Sequence, residues 1–599
     1  MLMIDNKQIM CQSIQGIVSL IRKELTDKGL DAYIIPSSDP HQSEYLPAHW
    51  QVRERVSGFT GSAGSAVITH DSAGLWTDSR YHLQGEDELS GTPYDLYKMG
   101  NPDVPQMHDY LLEALEEGSV VGMNPWTTSV NDLRLWSSRL AKKHITVDTN
   151  HQLALNAWEN IDRPAPSLRP IYVHGEKYVD RSIAEKLELV RRAITDQGAE
   201  AHLITTLDDI AWLYNVRGSD VECNPVFLSY AMIGPSTSTL YCSIEHLEKD
   251  ASEYLREAGV EVAPYDQIAE DLSKSKHKIL VDPDQCSVQL HSSIPDDLVI
   301  EGSMPSRMIK ACKTESQISH IAQAMIKDGV ALAHAFYYLY QHLGHIREHE
   351  LAAKIAECRS QQTGYVGESF SAIVGYQANG AIVHYRPGPD SAIIQSEGLL
   401  LCDSGGQYLD GTTDITRTMA MGPTTSEQRE MYTRVLKGHI ALDQAVFPKG
   451  KVGRDLDVFA RMHLWQAGRD FGHGTGHGVG YFLNVHEPPQ SISPGKSPRA
   501  NVVFQSGMLT SNEPGYYKDG EYGIRIENLI VCKESTHEGF LEHDHLTLFP
   551  FDTSIIERNI LTRDEVRWIN EYHKLCAKKL LPELTGKIKT WMLGMCEEI

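Results

Sequence analysis

Thr510-Ser-Asn-Glu-Pro-Gly-Tyr-Tyr-Lys-Asp-Gly-Glu-Tyr-Gly-Ile-Arg-Ile-Glu-Asn528 reads as two strands, Met508 to Tyr517 and Tyr522 to Val531, joined by a turn at Lys518-Asp519-Gly520. With the hairpin centred on Gly520, Glu513 and Glu527 are each seven residues from the turn and fall opposite each other. Directly opposed side chains have Cβ atoms about 4.5–5.5 Å apart, and like charges there destabilise the pair. A cation between the two carboxylates removes that repulsion, so this hairpin predicts a metal.

Two stretches upstream supply the remaining ligands. Gly472-His-Gly-Thr-Gly-His-Gly-Val-Gly480 carries His473 and His477. Its glycines argue for a loop rather than a helical H-E-x-x-H site, which also needs a glutamate absent here. Cys402-Asp-Ser-Gly-Gly-Gln-Tyr-Leu-Asp-Gly-Thr-Thr-Asp-Ile-Thr-Arg-Thr418 places Asp403 and Asp414 on neighbouring strands. A tight Asp410-Gly411 turn would offset the two aspartates, whereas a longer loop from Gly405-Gly406 would bring them level. Asp403, Asp414, His477, Glu513 and Glu527 are therefore the candidate ligands. Carboxylate oxygens with one imidazole suit a pair of hard or borderline divalent ions such as Mn²⁺, and the absence of cysteine argues against a structural zinc site. Taken singly, each motif is an ordinary turn. Their conjunction, in one order, carries the reading.

The bulk properties are compatible with such an enzyme. The chain has 599 residues, too many for one core, which points to about three domains. A net charge of −25 disfavours nucleic acid or an anionic membrane as partner. The first residues lack a basic region followed by a long apolar run, so no signal peptide is expected, and no apolar window is long enough to span a membrane. The ten cysteines are scattered without a C-x-x-C, as in a reduced, cytoplasmic protein.

The first half contains a diverged repeat. Asp27-Lys-Gly-Leu-Asp-Ala-Tyr-Ile-Ile-Pro-Ser-Ser-Asp39 matches Asp196-Gln-Gly-Ala-Glu-Ala-His-Leu-Ile-Thr-Thr-Leu-Asp208 at an offset of 169. Each copy follows an amphipathic helix ending at a glycine and enters an apolar strand, and the second helix opens with a capping box at Ser182 and Glu185. Two related α/β domains follow from this, divided in the proline-rich stretch Arg163 to Pro170. A second boundary is placed near Gly302 to Ser306. Beyond it, helices are expected from about Glu315 to His342, from the capping box Thr425-Ser-Glu-Gln428 to about Val446, over Leu456 to Ala467, and from Thr562 to Leu581. Strands are expected around Phe370–Val374 and Ala381–Tyr385. The outcome is an α+β domain with the acidic residues on antiparallel strands.

With these residues in view, the chain resembles the aminopeptidase P (Xaa-Pro aminopeptidase) group of the pita-bread metallopeptidases, in its long three-domain form. The resemblance implies a fold of two creatinase-like N-terminal domains over residues 1–168 and 169–308, a catalytic domain over 309–553, and a C-terminal helical extension over 554–599. Carried onto this chain, it makes Asp403 a ligand of one ion, Asp414 and Glu527 bridges to both, and His477 and Glu513 ligands of the other. It adds His384 in Asn379-Gly-Ala-Ile-Val-His-Tyr385, His473, and His486 in Asn484-Val-His-Glu-Pro488 as active-site histidines. Glu513 then serves as general base, His486 stabilises the developing oxyanion, and His384 contacts substrate or helps protonate the leaving nitrogen. His473 and Tyr385 are implied in the proline pocket. Arg525, at strand spacing from Glu527, would hold a ligand carboxylate, and Arg53 would reach substrate from the first domain. The implied cofactor is a pair of divalent ions, Mn²⁺ first, with Co²⁺ and Zn²⁺ as alternatives. The implied substrates are peptides with proline at position two, hydrolysed at the N-terminal Xaa-Pro bond by a homodimer. The competing readings are a prolidase acting on Xaa-Pro dipeptides and a non-catalytic pita-bread module that binds peptides.

Overall fold

A computed structural model describes residues 2–495 and 497–599. The chain divides into two compact units, residues 307–599 forming nearly all of the second.

The first unit contains two six-stranded sheets. In the first, β1 (Ala32–Pro36), β2 (Ser65–Thr69), β3 (Ala73–Thr77), β4 (Asp95–Lys98), β5 (Val120–Met123) and β6 (Thr146–Asp148) lie in the order β4-β3-β2-β1-β5-β6. In the second, β7 (Ala201–Ile204), β8 (Ser229–Ile233), β9 (Ser238–Cys242), β10 (Glu261–Pro264), β11 (Ile279–Val281) and β12 (Val299–Glu301) lie in the order β10-β9-β8-β7-β11-β12. The two orders are the same, and so is every pairing sense, from antiparallel β1/β2 and β7/β8 to parallel β1/β5 and β7/β11. The sequence repeat therefore marks a repeated domain. Gly29 and Gly198, again 169 apart, close the preceding helices at φ +68° and +78°, a conformation that suits glycine.

A further repeat joins the copies. Asn124-Pro-Trp-Thr-Thr-Ser-Val130 and Asp282-Pro-Asp-Gln-Cys-Ser-Val288 meet at a Ser129–Ser287 bridge. The bonds across it are reciprocal: Val130 N–H donates to Cys286 O and Val288 N–H to Thr128 O, at 3.1 and 2.9 Å.

The second unit packs helices Glu315–Gln341, Glu348–Ser360, Ser426–Asp443, Gly453–Trp465, Arg563–Leu580 and Gly586–Met595 against antiparallel strands. Capping boxes start the helices after Thr314, Thr425 and Thr562. One apolar core takes Phe336 and Leu339 from the first helix, Val435 and Leu436 from the third, and Trp568, Tyr572 and Leu580 from the fifth.

Three expectations are corrected. The third helix ends at Asp443, short of Val446, because Phe447 joins a short strand paired with Leu541. Ala381–Tyr385 is not a strand. A 3₁₀ turn occupies Gln377–Ala381, and Gly375, Gly380 and Gly523 allow it to lie so close to the sheet that a Cβ on Gly523 would sit 1.7 Å from Gly380 O. The two long hairpin strands are each broken, into Leu509–Asn512 with Gly515–Lys518 and Tyr522–Arg525 with Asn528–Glu534.

Candidate metal centre

The first aspartate hairpin keeps one register throughout: Asp403 faces Thr416, Gln407 faces Thr412 and Tyr408 faces Gly411. The connection is thus the tight turn, and Asp403 and Asp414 are offset by two residues along one face. Gly405 sits between them, where a Cβ would lie 2.0 Å from Thr413 O and 2.2 Å from Ser369 Oγ. No other residue fits there.

The glutamate hairpin is also in register, with Asn512 facing Asn528 and Gly515 facing Arg525, so Glu513 and Glu527 do fall opposite each other. They do not bond to each other's backbone. Glu513 N–H donates to Thr475 O at 2.8 Å, and Glu527 N–H donates to Thr416 O at 3.1 Å. Thr475 lies two residues before His477 and Thr416 two after Asp414. The strand breaks therefore stitch the glutamates to the segments bearing the other candidate ligands.

His477 stands between Gly476 and Gly478, whose Cβ atoms would meet Ser511 O at 1.9 Å and Glu487 O at 2.3 Å. The G-H-G spacing lets its strand approach both neighbours. Its Nδ1 lies 3.0 Å from Gly478 O, and its Nε2 lies 3.5 Å from Asp414 Oδ2 and 3.5 Å from Glu513 Oε1. Asp414, His477 and Glu527 each bring one donor atom within 4.8 Å of the others.

Burial and mutual repulsion dominate the electrostatics of the cluster. Burial and the neighbouring Asp403 and Glu513 raise the Asp414 carboxyl far above the carboxylate range. Glu527 is raised likewise by burial, Asp414 and Glu513, and Glu513 is pushed up to about 7 by burial and Asp403, against the opposing pull of Arg525 and His486. Asp403 Oδ1 and Glu527 Oε1 are buried without a hydrogen-bond partner, a costly state unless something else coordinates them. Four converging carboxylates and one imidazole fit a pair of divalent ions.

Around this cluster runs a supporting layer. Arg525, buried, donates Nη2 and Nε to Asp403 Oδ2 at 2.6 and 3.1 Å, and Nη1 to Tyr517 OH at 2.7 Å. Tyr517 OH in turn lies 2.7 Å from His473 Nε2, so a continuous chain links His473 to a ligand carboxylate. Thr416 Oγ1 donates to Glu527 Oε2 at 2.8 Å. The loop before His477 is held by Arg461, which donates to Phe471 O and His473 O at 2.6 and 2.7 Å and pairs with Asp457.

The remaining predicted residues divide. The His486 ring stands edge-on to His477 at 4.3 Å between centroids. His384 is half-buried beside Val383, whose carbonyl accepts from Arg525 Nη2 at 3.3 Å. Tyr385 OH donates to Glu348 Oε2 at 2.8 Å and accepts from Asn379 Nδ2 at 3.0 Å, so its hydroxyl secures the His384 loop. Arg53 lies in the first unit, where its guanidinium donates to Phe59 O, Gly61 O and Ser37 Oγ of its own domain.

Sequence reasoning missed Thr416, Tyr517, Glu348 and the Asp457–Arg461 pair. Thr416 was readable from the period-2 spacing of Asp414, Thr416 and Thr418, and Asp457–Arg461 from its i, i+4 placement on a helix. Glu348 carries no local signal.

Helices packed on antiparallel sheets around such a carboxylate pocket define a pita-bread metallopeptidase. Residues 307–534 match metallopeptidase family M24, residues 18–153 and 162–317 match creatinase/prolidase N-terminal domains, and residues 539–599 match the C-terminal region of peptidase M24. Aminopeptidase P2 of Arabidopsis thaliana is 38% identical over 95% of this chain and 86% of its own length. A probable Xaa-Pro aminopeptidase P of Coprinopsis cinerea is 39% identical over 95% of each. The X-prolyl aminopeptidase of Caenorhabditis elegans, described as a cytosolic enzyme with a di-nuclear active site, matches with a TM-score of 0.93 at 31% identity, over 98% of this chain and 100% of that one. The Xaa-Pro dipeptidase of Bacillus anthracis shares the fold over 62% of this chain, with a TM-score of 0.51 at 24% identity. The chain belongs to the metallopeptidase family M24, among the Xaa-Pro aminopeptidases P.

Proposed function

We propose that this protein removes the first residue from peptides whose second residue is proline, with Asp403, Asp414, His477, Glu513 and Glu527 holding two divalent ions. The observation that carries the proposal is the gathering of the Asp414, Glu513 and Glu527 carboxylates about the His477 imidazole, with Glu527 Oε1 and, in neighbouring Asp403, Oδ1 left buried without hydrogen-bond partners. When bound, such ions acidify water and polarise the scissile carbonyl.

The chain's own residues do the rest. Glu513, anchored through Thr475, accepts the proton of the attacking water and passes it on. His486, beside His477, donates to the carbonyl oxygen as it becomes tetrahedral. The leaving nitrogen belongs to proline and carries no hydrogen in the intact tertiary amide, so a proton must be delivered to it. His384, on the loop secured by Tyr385 and Glu348, would make that delivery. His473 and Tyr517 form the wall against which the proline ring packs. The free N-terminal amine is a cation, and the acidic cluster around Asp403 is suited to hold it. Arg525 keeps Asp403 in place, and Arg53 shapes the Phe59–Gly61 loop of its own domain.

Manganese as the ion, a homodimeric state and a cytosolic location belong to the same proposal. All ten cysteines are free thiols, which suits a reducing compartment. Among the described residues no helix is long and apolar enough to cross a membrane. The division at residues 168, 308 and 553 is part of the proposal too.

The test is a matched series assayed with Mn²⁺: Xaa-Pro-Pro, Xaa-Pro, Xaa-Ala-Pro and acetyl-Xaa-Pro-Pro. Cleavage of the first, with little of the last two, is expected. Cleavage of the dipeptide alone would make the protein a prolidase, and brisk cleavage of the alanine or acetylated peptide would overturn the specificity.

A further inference from the structure

The strand that carries Thr416 also carries Arg417, whose guanidinium is buried and, among the described residues, hydrogen-bonds to carbonyl, amide and hydroxyl oxygens rather than to a carboxylate. Nη1 donates to Thr416 O at 2.9 Å and to Glu527 O at 2.6 Å. Nη2 donates to Asn528 Oδ1 at 2.8 Å, Phe549 O at 2.6 Å and Tyr572 OH at 2.9 Å. Phe551 lies beneath, 4.5 Å from the guanidinium carbon to the ring centre.

Tyr572 comes from helix Arg563–Leu580, in the C-terminal region, and is 1% exposed. Besides accepting from Arg417, its hydroxyl lies within reach of Thr547 O at 3.0 Å, Phe549 O at 3.1 Å and Asn528 Oδ1 at 3.3 Å. The ring is fixed by Trp568, stacked at 5.4 Å and 2°, whose Nε1 donates to Asp443 Oδ2 at 2.9 Å. Tyr572 is therefore held on its faces by packing and at its tip by polar groups.

These contacts bracket Glu527. Its N–H is bound to Thr416 O, its carbonyl to Arg417, and the next side chain, Asn528, to Arg417 and Tyr572. The peptide plane before Glu527 is thereby held by Thr416 and the one after it by Arg417. A ligand to two ions tolerates displacements of only about half an ångström. We propose that Tyr572 is a positioning residue of the metal centre: through Arg417 and Asn528 it sets the backbone of Glu527, so the C-terminal helix is part of the apparatus that holds the ions. This rests on the reading above, in which Glu527 binds both.

The test uses the full chain, stripped of metal with chelator and titrated calorimetrically with Mn²⁺, alongside melting of the metal-free form and steady-state kinetics. Tyr572→Phe removes one oxygen and leaves the ring stack. Outer partners of metal ligands change affinity by about 10–100-fold, so Mn²⁺ binding at one or both sites should weaken by at least about tenfold. kcat should fall with KM nearly unchanged, and the loss should be reduced at high Mn²⁺. Lys574→Ala, on the same helix with its ammonium bridged to Glu598, is the control and should bind as wild type. A Tyr572→Phe protein that melts lower in its metal-free form yet binds Mn²⁺ as wild type does would reduce Tyr572 to a structural residue and overturn the proposal. If that variant does not fold, Asn528→Ser interrupts the same path, and unchanged affinity there is equally decisive. Wild type binding fewer than two ions would instead defeat the dinuclear reading itself.

Discussion

Glu527 and Thr416 are joined twice: the glutamate N–H donates to the threonine carbonyl at 3.1 Å, and the threonine hydroxyl donates to the glutamate Oε2 at 2.8 Å. The double link fixes both backbone and carboxylate of one proposed ligand against the segment that carries another, Asp414. It also consumes only one oxygen of Glu527 and leaves Oε1 buried without a hydrogen-bond partner, which is the arrangement a metal ligand needs.

Asp414→Asn should abolish turnover while leaving the fold intact. An amide bridges two ions poorly, and in the metal-free fold it replaces a carboxyl that burial and its neighbours already favour in the neutral form, so the metal-free variant should melt no lower than wild type. Metal analysis should find no more than one ion per chain. Retention of more than about a tenth of wild-type activity would show that Asp414 is not a bridge.

Arg525→Lys should lower Mn²⁺ affinity by roughly 10–100-fold. Lysine keeps the charge but cannot hold Asp403 Oδ2 with Nε and Nη2 while also binding Tyr517. Calorimetric titration measures the change. An unaltered affinity would mean that charge alone, and not the guanidinium fork, organises Asp403.

His486→Ala should reduce kcat by about 10²–10³ and change KM little, as expected for loss of one donor to the transition state. Steady-state kinetics on a Xaa-Pro-Pro peptide decide the matter. An effect confined to KM would reassign His486 to ground-state binding.

The stabilisation that Mn²⁺ confers should grow as pH rises. Glu513 is raised from 4.5 to about 7 in the metal-free fold, and Asp414 and Glu527 are raised as well. A carboxyl that holds its proton more tightly folded than unfolded favours folding fully below its unfolded value, and that contribution is lost as pH climbs through the folded one. The metal-free protein therefore loses stability across that window, while ions displace the protons and relieve the repulsion. Melting with and without Mn²⁺ at several values from about pH 5 to 7.5 measures the difference. A constant increment would contradict the account.

The repeat at offset 169, the motifs carrying the five proposed ligands, the helix from about Glu315, the capped helix starts at Thr425 and Thr562, and the facing of Glu513 and Glu527 were all legible in the chain, because each depends on local pattern: period two in strands, capping residues at helix ends, symmetry about one turn glycine. The two registers open to Asp403 and Asp414 could not be separated locally. Close packing at Gly405, against Thr413 and Ser369, settled them. Tertiary structure alone decided that the glutamate strands break, since the competing partners, Thr475 and Thr416, lie on remote segments. It also decided that Tyr385 bonds to Glu348, that Arg53 bonds to Ser37, Phe59 and Gly61, and that Tyr572 stands behind Glu527. Those choices satisfy buried polar groups brought together from distant parts of the chain, and no periodicity in a linear sequence records which donor will find which acceptor.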